Sequence, residues 1–315
     1  MTYRRGSDLR YLGAFILSIV AGSMVALQSR INGQLGLEIG SGSVAALFSF
    51  STGTLALATI LLFSPAARSG ISQVISEVRG GSLPWWTATG GLGGGLIVLT
   101  QGISAGTLGI ALFSVALVTG QTLGSATIDS TGWFGAVKIN LSLSRTIGAL
   151  LAVAGAYLAL SLGSSSPAGL TYLFALPALA GLAAGYQQAV NGRIRGVAKS
   201  ALAATFLNFI FGTLLVLLVV IVLSFFSEIE IVLPQSWWLW TGGLVGTIFI
   251  AIQTKTVGII GVLGLGVSLV SGQLLAAVVL DLTLPIESSG PTLATIMGAM
   301  VTLVGAVLVI VGRRN

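Results

Sequence analysis

Six glutamines stand inside, or at the ends of, long apolar stretches of this chain: Gln28, Gln101, Gln121, Gln187, Gln253 and Gln273. A primary amide carries two N–H donors and an acceptor oxygen, so it can hold a polar solute without a formal charge. In hydrocarbon surroundings such a group needs a partner or a wet cavity. The six fall into pairs, Gln28 with Gln187 at a separation of 159, and Gln101 with Gln253 and Gln121 with Gln273 at a separation of 152. Two readings are open. They line a cavity for an uncharged, weakly charged or zwitterionic solute, or they bridge neighbouring helices for about 0.6 kcal/mol each. The two readings weigh evenly for Gln121 and Gln273, which lie furthest inside their stretches. Bridging or interface contact fits Gln101 and Gln253 better.

The phrase around Gln28 is repeated around Gln187, so Asn32 and Gly33 match Asn191 and Gly192. A polar helix end with a glycine could gate a cavity. Capping of the next element is the more common use of Asn and is the reading preferred here. Asp129 and Asp281 are expected near the ends of apolar stretches, solvated at the membrane edge, with a part in coupling as the alternative. Arg30 and Lys255 could attract anions or simply sit at the surface. The chain has no Cys and no His. Thiolate and imidazole chemistry are therefore excluded, and no catalytic residue, metal site or cofactor is expected. Glycine runs such as "TGGLGGGL" lack a G-K-[ST] sequence, so nucleotide hydrolysis is not indicated.

These residues must be positioned by membrane helices. Only 7% of the 315 residues are charged, against about 25% in soluble domains. Mean hydropathy is +1.03. Apolar blocks reach the length of about 20 residues that crosses a bilayer as helix. An all-α polytopic membrane protein is expected, with spans near residues 9–28, 41–63, 84–103, 107–127, 146–163, 169–187, 200–226, 237–254, 258–281 and 291–312. The first is read as a retained helix rather than a signal peptide. With ten spans and both termini cytoplasmic, Arg30 alone of the 14 Lys and Arg residues falls outside, a strong positive-inside pattern. Glu228, Glu230 and Glu287 also fall outside. The net charge of +6 is thereby read as a topology signal, and no nucleic-acid partner is expected. The lipid bilayer is the expected surrounding, in an inner or plasma membrane.

The matched residues belong to a duplication of the whole chain. "WWTATGGLGGGLIVLTQ" (85–101) and "WWLWTGGLVGTIFIAIQ" (237–253) agree at eight of seventeen positions. Residues 1–163 and 169–315 would each hold five spans. An odd number inverts the second half, giving two inverted five-helix repeats, an architecture typical of secondary transporters. A small-molecule solute moving by alternating access is the expected function, with a channel or a non-transporting scaffold as the rival. A homodimer is compatible with this plan and not required by it.

Five-plus-five inverted halves resemble the drug/metabolite transporter superfamily. The motifs Q-x-x-(I/V)-N-G, F-x-x-G-T, and G-Q followed eight residues on by Asp resemble its YdcZ family, here as two fused halves. The resemblance implies a central cavity lined by the first, third, fourth, sixth, eighth and ninth spans, the spans that carry the six glutamines. It implies transport but no substrate. Small drug exporters of the superfamily carry a glutamate in the first span. This first span has none, which disfavours proton coupling through a central carboxylate.

Overall fold

The computed structural model describes residues 2–136, 138, 140, 142–163, 167–226, 232–285 and 290–311. Glu228, Glu230, Glu287, Arg313 and Arg314 lie outside the described residues. The chain is an all-α polytopic membrane protein. Its helices are α1 (Thr2–Ile39), α2 (Gly42–Leu62), α3 (Pro65–Arg79), α4 (Gly91–Thr100), the single turn α5 (Gly106–Leu108), α6 (Ile110–Thr131), α7 (Leu143–Gly163), α8 (Pro167–Ala198), α9 (Ala201–Ser224), α10 (Gly242–Thr283) and α11 (Leu293–Val311). A five-residue π turn, Gln101–Ala105, joins α4 to α5. Among the described residues, nine helices are long and apolar enough to cross a membrane. Trp237–Gln253 is a shorter apolar helix.

α10 is too long for a single membrane crossing. At about 1.5 Å per residue, its 42 residues would extend far beyond a hydrocarbon core of about 30 Å. Yet the Ser18 hydroxyl donates to that of Thr256 at 2.9 Å, and Gly272 packs on the backbone of Ile19. Residues sixteen apart on α10 thus meet neighbouring positions on α1. The chain must fold back within α10 between Thr256 and Gly272, and both arms lie against α1.

Helices cross where glycine removes the side chain. Gly22 and Gly272 bring α1 against the second arm of α10, and Gly120 and Gly181 bring α6 against α8. Gly148, Gly155, Gly298 and Gly305 do the same for α7 and α11. Such small-residue faces let backbones approach until dispersion contacts hold them. At the α2–α9 crossing, the Phe50 ring fills the space above Gly212 and the Phe209 ring the space above Gly53. The two rings lie 5.1 Å apart, and the Thr54 and Thr213 hydroxyls meet at 2.8 Å. Residues matched by the duplication therefore contact one another here. Leu55, Ile60, Leu214 and Leu218 face outward, as lipid-facing positions do.

α1 and α8 run on past the ends expected from sequence. Asn32, Gly33, Asn191 and Gly192 lie inside these helices rather than at their ends. The capping reading of the two asparagines is corrected accordingly. The next helices are capped instead by Ser41 on the Val44 amide and Ser200 on the Ala203 amide. The amphipathic α3, lying between two spans, was not anticipated.

Candidate functional site

A cavity of about 490 Å³ lies between the helices, and all six glutamines line it. Gln28 comes from α1, Gln101 from the π turn after α4, Gln121 from α6, Gln187 from α8, and Gln253 and Gln273 from the two arms of α10. Asn191 and Gly192 line the cavity too, whereas Asn32 and Gly33 do not. Sequence reasoning missed Gln188, Asn208, Thr122, Ser125, Thr205 and Arg195, which also line it. Asn208 had a signal in the duplication, a polar residue at both matched places, and Arg195 had none. They take the places of Ser49 and Gly36 at the separation of 159. Phe50, Phe209, Ile97 and Leu269 supply apolar wall.

Some glutamines also bridge helices. The Gln28 amide donates to the Gly242 carbonyl at 3.1 Å, and the Gln187 amide to Asn208 Oδ1 at 3.2 Å. Asn32 donates to Gln101 at 2.7 Å, and Gln101 donates to Ser29 at 3.1 Å. The two sequence readings are thus not exclusive, because one amide can line the space and brace its wall. Gln273 Nε2 and Asn208 Nδ2 are buried without a partner among the described residues. Both belong to residues at the cavity wall, and an unpaired buried donor costs about 1–3 kcal/mol. A solute acceptor would relieve that cost.

The two ends of the cavity differ. On α8, Ala184, Gln187, Gln188, Asn191, Gly192 and Arg195 all line it, and their spacing of three and four puts them on one helix face. A Cβ on Gly192 would meet nothing within 4 Å, and Arg195 is exposed. The matching face of α1 lines the cavity only as far as Gln28. Beyond it, Asn32 is fully buried, Gly33 packs on the Gly106 backbone, and Gly36 on that of Gly102. This end is sealed; the Arg195 end is open.

Asp281 stands at the sealed end. Gly109, at φ 77°, breaks the chain between α5 and α6. The freed amides of Ile110 and Ala111 donate to the two Asp281 carboxylate oxygens at 2.8 and 2.6 Å. Among the described residues no ion pair joins Arg30 to Asp281. Asp129 is held differently, by an ion pair with Arg145 at 2.9 Å, in which the arginine side chain is fully buried. Both aspartates are buried, which corrects the expectation that they are solvated at the membrane edge. Lys255 is exposed and lies outside the cavity wall. Among the described residues no three acidic groups come together to hold a metal ion.

The family model for "Putative inner membrane exporter, YdcZ" matches the chain twice, over residues 13–158 and 172–308. The chain belongs to the YdcZ family of drug/metabolite transporters. The matches cover most of the sequence and support a general role in transport across the inner membrane. No curated protein matches this chain. A solved crystal structure, described only as that of a protein, is similar over 98% of both chains at 16% identity, with a TM-score of 0.53. At that identity the similarity speaks for the fold alone.

Proposed function

We propose that this YdcZ protein is a secondary transporter that moves a small polar metabolite or drug-like solute across the inner membrane by alternating access. The observation that carries the reading is the convergence of six matched glutamines, three from each half, on one cavity sealed at one end. A volume of about 490 Å³ lies within the range of about 300–1,000 Å³ for small-molecule pockets. Among the cavity-lining residues Arg195 is the one charged group, and there is no carboxylate. This chemistry suits neutral or anionic solutes and opposes cations.

In this reading residues 1–163 and 169–315 are two inverted five-helix halves. The first arm of α10, with Trp237–Gln253, supplies the tenth crossing. Both termini face the cytoplasm, and so does the open end, beside Arg193, Arg195 and Lys199. Asn32 and Gly33 then act at the outer gate and Asn191 and Gly192 at the inner one. Ground-state asymmetry between matched halves is what alternating access requires, since exchanging their conformations would open the other side. A continuous pore is disfavoured by the seal at Gly33 and Gly36.

The test is the double variant Gln121→Leu, Gln273→Leu. Saturation with a transported solute at about a hundred times its Kd should raise wild-type stability by about 2.7 kcal/mol. The variant is expected to lose that gain and the flux in liposomes. Undiminished flux of the same solute through the variant would show that the cavity is not the path.

A further inference from the structure

Closing the open end meets an obstacle that the sealed end does not have. At the sealed end, Gly36 lets α1 press its backbone against that of Gly102. At the open end, the position matching Gly36 is Arg195 and the position matching Gly102 is Thr254. A guanidinium stands where the other seal uses a hydrogen atom. Folding α8 onto this end as tightly as α1 folds at the other would carry Arg195 out of water. A buried cation with no counter-charge carries a large desolvation penalty, and the cavity wall offers no carboxylate to offset it. The unpartnered donors of Gln273 and Asn208 add to the demand for an acceptor.

We propose that the solute is an organic anion, a carboxylate on a partly apolar body, and that Arg195 is the residue that selects it. The carboxylate pairs with Arg195 and accepts from the cavity amides. The Phe50–Phe209 wall takes the apolar part. The anion supplies the charge that the empty cavity lacks, so the open end seals over a loaded site and resists sealing over an empty one. Solute binding and gate closure are coupled through one ion pair, which arginine, with its planar fork of donors, makes in bidentate form. This rests on the transporter reading above and adds to it the solute class.

The chain has no cysteine, so one engineered thiol reports on the cavity. Ile97→Cys places it on the apolar wall. Labelling by a membrane-impermeant maleimide from the open end is followed with three matched probe sets: benzoate, benzamide and benzylamine; phenylacetate, phenylacetamide and phenethylamine; and hexanoate, hexanamide and hexylamine. At least one acid is expected to slow labelling tenfold or more, with its amide and amine without effect. Arg195→Gln should label slowly without any probe, because its empty cavity can close, and should not respond to acids. Arg195→Lys should regain the acid response. Three results would each overturn the proposal: an amide or amine that protects as well as its acid, acid protection that survives in Arg195→Gln, or no protection by any acid. Protection by an amide in both wild type and Arg195→Gln would leave the transporter reading standing. Labelling that neither probes nor substitution can change would count against the transporter reading as well.

Discussion

Asp129 and Asp281 occupy matched positions, yet their surroundings give them different roles. Removing the Asp129 charge breaks its ion pair with the buried Arg145 side chain, and breaking a buried ion pair costs about 3–5 kcal/mol. Asp281→Asn keeps one acceptor and loses one of two amide contacts, worth about 1–2 kcal/mol. In chemical denaturation Asp129→Asn is therefore expected to be the more destabilising by about 2 kcal/mol or more. Equal losses would mean that the ion pair is no more critical than the amide contacts. Sequence made the glutamines visible, because a polar group in an apolar stretch needs a reason. It did not reveal that the aspartates are buried, since an acid at a span end is solvated or not according to what packs beside it. Arg195 was hidden for a related reason: a basic residue at the end of a span looks like a topology signal.

The elements that matter most are those that differ between the two ends. Gly33 on α1 touches the Gly106 backbone, while Gly192 on α8 has open space around it. Gly33→Ala is expected to part the sealed end, and labelling of Ile97→Cys from that side should rise tenfold or more. Gly192→Ala, with open space around it in this state, should not raise that labelling, while gaining up to about 1 kcal/mol of helix propensity. A Gly33→Ala protein that stays as closed as the wild type would contradict the seal described here. Nine of the ten expected span positions were legible in the length of apolar blocks. The continuation of α1 and α8 was not. Gly33 and Gly192 look like helix ends in sequence, yet Gly33 serves for close packing within a continuous helix.

For the whole molecule, sequence carried the polytopic class and the family. It could not say that one matched end is closed and the other open, because that is a property of the packed state and not of either half alone. The proposed inverted arrangement predicts that both termini lie in the cytoplasm. A reporter fused to either end should be protected in intact cells, and exposure of one terminus alone would mean an odd number of crossings. The central claim is a single cavity that opens to each side in turn. Its most direct test is labelling of Ile97→Cys by impermeant maleimide from each face of oriented proteoliposomes, with ion conductance recorded on the same preparation. Labelling is predicted from the open end of the empty protein and from the other face once a solute lets the open end close, with no steady conductance. Labelling from one face under every condition, or labelling from both with a steady ion current, would contradict it.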